Sequence, residues 1–215
     1  FGWFAHLGAK QGDVTLAANA LLLNFQTFMA YGLDGFAHAA EALVGAAIGA
    51  RDRHAFAQAV RVTALWSALG ALGFSLVYWG AGSWIIGGLT NQAAVRATAE
   101  TYLPWAALLP VISVWGFLLD GVFIGATRTH ELMISMTLSF AVFVVASWAL
   151  LALYGNHGLW AAMLIFIVPV FEKMFSDLGG QLPIPTQILV NLSHAMPIVA
   201  PIVIVLGVAW AIWWG

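Results

Sequence analysis

Charge is what this chain has least of. Of its 215 residues only 7% are Asp, Glu, Lys or Arg, against about 25% in a soluble globular domain. So few charged groups cannot give a globule a water-compatible surface. The charges that exist leave a net charge of -2 and form neither a basic nor an acidic run, which excludes a nucleic-acid-binding surface. Cysteine is absent. That excludes a disulfide framework, a thiolate metal site and a thiol nucleophile, and it suits either side of a membrane. The six histidines show no metal-ligand spacing. No GxSxG, HExxH, P-loop or dinucleotide fingerprint occurs, so nothing argues for an enzyme. The chain opens at Phe1 with no charged, signal-like leader and reads as a fragment starting near the end of a membrane helix.

What remains is apolar. Hydrophobic residues make up 62% of the chain and mean hydropathy is +0.94. The expected fold is all-α, a polytopic transmembrane bundle of about five to seven spans. Residues 1–9 read as a helix tail, followed by a KQGD loop. The run from Leu16 to Ala50 exceeds the ~20 residues needed to cross a bilayer, and Gly32 and Gly35 are its natural kink points. RDRH at 51–54 ends it. Further spans are expected over Ala57–Trp79, Thr98–Ile124 and Leu132–Tyr154, with a fifth from Leu159 to Pro169. GAGSWIIGGLTNQ between the first two of these reads as a glycine-rich loop, with a short interfacial helix as the alternative. Pro104 and Pro110 fall inside a span, where neighbouring helices can satisfy the freed carbonyls. YGNHG reads as a tight turn. The tail is amphipathic and ends in PIVIVLGVAWAIWWG, with Trp210, Trp213 and Trp214 at an expected membrane interface. Arg51, Arg53 and Arg128 lie in loops two spans apart, hence on one side. The positive-inside rule makes that side cytoplasmic, though Lys10 and Arg96 weaken the bias.

Three charged or titratable residues interrupt LDGFAHAAEALVGAAIG. Asp34, His38 and Glu41 are spaced four and three apart, which places them on one helix face. A carboxylate at mid-bilayer costs roughly 2.5–3.5 kcal/mol on insertion scales and normally faces a bundle interior or a wet cavity. The cluster therefore reads either as an ion site or as a hydrogen-bonded group that only orders the bundle. Asp120 stands beside GVFIG (121–125), whose glycines have small-xxx-small spacing, and GAAIG (45–49) repeats the pattern. Such spacing lets helix backbones approach closely. Asn19, Asn24, Gln26 and Thr27 form a polar stripe. Asn24 and Thr27 share a face that continues to Tyr31 and can line a cavity or act as interhelical glue.

LAANALLLNFQTFMAYGLDGFAHAAEALVGAAIGARDR, LLDGVFIGATRT and YGNHGLWAAM together resemble the second half of a multidrug and toxic compound extrusion (MATE) transporter of the DNA-damage-inducible branch. The resemblance covers about residues 1–163. It implies the carboxy-terminal lobe of a two-lobe antiporter in a bacterial inner membrane. Such a transporter exports organic cations or drug-like solutes in exchange for H+ or Na+, with no cofactor beyond that coupling ion. It also implies a missing amino-terminal lobe as partner. Asp34, Glu41 and Asp120 become ion-coupling candidates by this resemblance, and Asn24, Thr27, Tyr31 and His38 cavity-lining candidates. IVPVFEKMFSDLGGQLPIPTQILVNLSHAMP, in contrast, resembles the inner-membrane platform protein of type II secretion and type IV pilus assembly, on Val168, Pro169, Phe171, Gly179, Leu182, Pro183, Pro185 and Thr186. The two resemblances divide the chain at 1–163 and 164–215. They disagree on the side of the membrane that Glu172 and Lys173 should reach. The expectation is a hybrid of two fragments joined in one apolar helix, with platform-fragment function or no independent activity as the alternatives.

Overall fold

The computed structural model of the protein describes residues 2–165. The platform-like tail beyond Ile165 lies outside the described residues, as do Pro169 and the terminal tryptophans. The described chain is helical throughout: α1 Gly2–Ala9, α2 Asp13–Gly49, α3 Arg53–Leu89, α4 Ala93–Gly125 and α5 Thr129–Ile165. Three of these, α3, α4 and α5, are long and apolar enough to cross a membrane. At 37 residues α2 is as long as α3, about 55 Å at the helical rise. It is not among those three, and Asn19, Asn24, Gln26, Asp34 and Glu41 are spread along it.

One expectation is corrected. The glycine-rich stretch GAGSWIIGG is not a loop: α3 runs through it to Leu89, and only Thr90–Gln92 separate α3 from α4. On the inward side of this stretch tertiary contacts offset the intrinsic helix penalty of glycine: Gly82 is buried and held tightly against Leu103 of α4. α2 continues as one uninterrupted helix through Gly32 and Gly35. Gly32 also serves packing. A Cβ there would lie 2.6 Å from the Phe74 ring of α3. Pro104 and Pro110 both sit inside α4. Ser75 of α3 donates to the Ala107 carbonyl at 2.6 Å, beside the turn that Pro110 disturbs. The expected turn at YGNHG is present: Gly155 takes φ 56 and ψ -138 within α5, a region that favours glycine. The chain doubles back there, bringing Gly158 onto the backbone of Leu150.

The bundle is organised around α2 and α4, which form the most extensive helix pair. They run parallel in one register, with Met29 against Ser113, Ala37 against Gly121 and Glu41 against Gly125. α3 lies antiparallel to both. Its Tyr78 hydroxyl donates to the Phe25 carbonyl at 2.7 Å, and its Gly70 packs on Phe36. α2 and the far arm of α5 are joined at one end through amides. Asn19 and Asn156 exchange hydrogen bonds at 2.7 and 2.9 Å, and the Trp160 indole donates to Asn19 Oδ1 at 3.0 Å. Asn19 and Asn156 are both buried, so each meets in its partner the polar contact that an apolar interior withholds.

α2 and α4 end alike. Arg51 and Thr127 adopt positive φ. Asp52 and Arg128 donate back to Ala47 and Phe123, while Arg51 and Thr127 donate to Ile48 and Ile124. These are paired Schellman closures. Since Gly45 faces Gly125, they lie at the same end of the bundle, so Arg51, Arg53 and Arg128 share one side. Asp52 then caps α3 by accepting from the His54 and Ala55 amides at 2.9 and 3.0 Å. The Ala55 amide above all, with the His54 amide and ring adding to it, holds the Asp52 carboxyl below its ordinary range. A lowered folded pKa means the cap contributes fully above the ordinary carboxylate range and fades as pH falls through the lowered value. Asp52→Ala should therefore melt below the parent chain at neutral pH, with the gap closing as the solution is acidified. Thermal unfolding in detergent across that range checks this, and a gap independent of pH would contradict it.

Candidate functional site

The close approach of α2 and α4 sets the geometry of the acidic residues. Any side chain at Gly121 would overlap the Ala37 carbonyl, and one at Gly125 would crowd the Glu41 backbone. Glycine is required at both for the backbones to meet. Of the two small-xxx-small motifs, only 121–125 is used at both glycines: Gly45 faces Gly125, but nothing lies within 4 Å of a Cβ at Gly49. Asp34 sits three residues before Ala37, and Asp120 immediately precedes Gly121. The shared register therefore brings two half-buried carboxylates to one level of the bundle. They lie within Coulombic reach of each other. Among the described residues neither has a hydrogen-bond or ion-pair partner. Two carboxylates so placed repel unless a proton or a cation stands between them.

Glu41 lies further toward the Arg51 end. His38 Nδ1 stands 3.6 Å from Glu41 Oε2 on the helix surface, with the His38 side chain 79% exposed. At that exposure the contact contributes little. Asp34, His38 and Glu41 do follow one another along a face, as their spacing requires, but only Asp34 is brought against a second acidic helix position. The described residues contain no group of three or more His, Asp or Glu able to hold a metal ion.

The polar stripe of α2 divides. Asn19 is the buried interhelical glue. Gln26 turns inward, and its Oε1 is buried without a hydrogen-bond partner among the described residues. Asn24, Thr27, Tyr31 and His38 are all exposed on an open face of α2. Asn24 and Thr27 satisfy themselves on their own helix, donating to the carbonyls of Ala20 and Leu23. A groove of about 710 Å3 flanks this face between α2 and α3, and of the four only Asn24 lines it. Its walls are otherwise largely aromatic and glycine: Phe25, Phe28 and Phe74 with Gly70 and Gly73. Sequence reasoning missed these residues. The available signal was Phe74 and Tyr78 four apart on one span, opposite Phe25 and Phe28 on another.

An apolar bundle of membrane-length helices with unpartnered carboxylates at its tightest crossing defines a helical membrane protein. The MatE family model matches residues 3–149, and the chain belongs to that family. It is 45% identical over 167 residues to DNA damage-inducible protein F of Escherichia coli K12, a match covering 78% of this chain and 36% of that protein. It is also 57% identical over 37 residues to the type IV pilus assembly protein PilC of Myxococcus xanthus, covering 17% of this chain and 9% of that protein. The chain thus spans about a third of the first relative and less of the second. No solved structure matches it.

Proposed function

We propose that the chain is the carboxy-terminal-lobe part of an ion-coupled antiporter in a bacterial inner membrane, exporting organic cations or drug-like solutes. The family membership and the similarity to DNA damage-inducible protein F support this reading. The observation that carries it is the Asp34–Asp120 pair at the α2–α4 crossing. One H+ or Na+ bound between the carboxylates relieves their repulsion, and its release restores it. Binding and release therefore bias the spacing of the two helices that carry the pair. In transporters built from repeats, ion and substrate sites lie near mid-membrane at the repeat interface. Asp34 and Asp120 occupy the ion-coupling role, with Glu41 nearer the helix end. The open face of α2, with Asn24, Thr27, Tyr31 and His38, is the surface that would border a solute path shared with an amino-terminal lobe.

The experiment is a Na+ and pH titration of the purified chain in lipid nanodiscs, followed by tryptophan fluorescence, because Trp115 is buried on α4 little more than a turn before Asp120. The parent chain should respond. Asp34→Asn and Asp120→Asn should each flatten the response by removing one of the repelling charges, and Asp13→Asn at the start of α2 should leave it unchanged. Titration curves that coincide for all four proteins would overturn the ion-site reading.

A second reading applies to the tail. The short match to PilC, together with the platform-like residues from Val168 to Thr186, supports a hybrid chain divided near 163, with a transporter-lobe segment before it and a secretion-platform segment after. Individual long reads of the source DNA across codons 150–180 test this. The hybrid reading expects unassembled reads in which either both segments are continuous as a true fusion, or no read spans the junction. A chain whose tail encodes an ordinary final transporter helix in every read would contradict it.

A further inference from the structure

Two cavities meet at the end of α3. One, of about 500 Å3, is lined by Trp84, Ile85, Gly87, Gly88, Leu89 and Arg96. The other is the α2–α3 groove of about 710 Å3, and it shares Ile85 and Leu89 with the first. The two neighbouring cavities together are cationic at one end and apolar along the rest. Arg96 lies over Gly87, where a Cβ would stand 3.1 Å from its guanidinium carbon. Its Nε donates to Glu100 at 3.2 Å. Among the described residues its two terminal nitrogens have no partner. Trp84 beside it is 82% exposed, the placement of an interfacial tryptophan.

The groove offers little to a polar solute. Its polar lining groups are Asn24 and Tyr78; the Tyr78 hydroxyl donates to the Phe25 carbonyl and one Asn24 N–H to the Ala20 carbonyl, which leaves the rest of one amide as its polar capacity. From Leu89 to Gly73 it runs about 24 Å along the helix, longer than the ~15 Å of one hydrocarbon leaflet. The neighbouring surface of α3 exposes Leu69, Leu72, Leu76 and Trp79, so the groove opens onto the lipid boundary.

We propose that the joined cavities bind one membrane phospholipid, with its phosphate on the Arg96 guanidinium and an acyl chain in the α2–α3 groove. Charge complementarity selects this occupant. A guanidinium with free N–H groups suits a phosphate and repels an organic cation. The Glu100 carboxylate beside it suits an ammonium headgroup, which makes phosphatidylethanolamine the matching lipid.

Native mass spectrometry of the detergent-purified chain, titrated with phosphatidylethanolamine, tests this. One lipid should stay bound to the parent chain. Arg96→Gln should lower the bound fraction at a given lipid concentration about tenfold, the size of one charge-assisted hydrogen bond. Gly73→Leu should do the same by filling the groove, since nothing lies within 4 Å of a Cβ there and the new side chain enters without displacing packing. Arg128→Gln, at the other end of the bundle, should bind as the parent does. Diacylglycerol, which lacks the phosphate, should bind the parent as weakly as phosphatidylethanolamine binds Arg96→Gln. Parent-like binding by either Arg96→Gln or Gly73→Leu, with circular dichroism confirming a folded helical chain, overturns the proposal. Equal binding of diacylglycerol overturns it as a non-selective apolar groove. Displacement by millimolar inorganic phosphate overturns it as a site for a free anion.

Discussion

The approach of α2 to α4 through Gly121 and Gly125 is the constraint on which the rest of the bundle rests. With no side chain in the way, the backbones touch at Ala37 and Glu41. Dispersion contacts then accumulate along a shared register that reaches back to Met29 and Ser113. In lipid, where apolar burial gives no drive for helices to associate, such packing and a few polar contacts supply the attraction. The register has two consequences. It ends both helices in matching Schellman closures on one side, and it sets Asp34 beside Asp120 without providing either with a partner. Packing strength at this crossing thus also holds an electrostatic conflict in place.

The outer surface is sorted by element. α3 exposes large apolar and aromatic groups such as Leu65, Trp66, Leu76 and Trp79, as a lipid-facing helix does. α2 also exposes Phe28, Leu43 and Ile48, but beside them runs an open polar stripe of Asn24, Thr27, Tyr31 and His38. A helix with an amide, two hydroxyls and an imidazole along its open face gains little from hydrocarbon. On the proposed function, the polar stripe of α2 borders the solute side and α3 the lipid side, with the α2–α3 groove as the border between them. Arg96 and Trp84 mark where that border reaches the membrane surface.

Composition and apolar run length made the helical membrane class legible, and the GVFIG spacing made the close crossing legible, because each depends on residue types that act locally. The turn at YGNHG was legible because Gly155 takes a conformation that favours glycine. Elsewhere glycine misled. Gly80 through Gly88 looked like a loop, but Gly82 leaves room for Leu103, and glycine type alone does not distinguish a break from a cleared contact. The second small-xxx-small motif failed at Gly49 for the same reason: a motif cannot say which helix lies opposite. The acidic residues were visible as outliers, but pairing Asp34 with Asp120 rather than with Glu41 needed the register. Asn19 was legible as glue. Its partners Asn156 and Trp160 were not, because they lie 137 and 141 residues away.

The central claim is the parallel register of α2 and α4, and the absence of native cysteine makes it directly measurable. Met29→Cys with Ser113→Cys replaces a side-chain contact of 3.7 Å by a thiol pair, while Met29→Cys with Leu109→Cys moves the second thiol back by about one turn. Under mild oxidation in membranes the first pair should form an intramolecular disulfide, detected as a linked peptide after proteolysis, and the second should not. Cross-linking of the Leu109 pair in preference to the Ser113 pair would contradict the register and, with it, the pairing of Asp34 and Asp120.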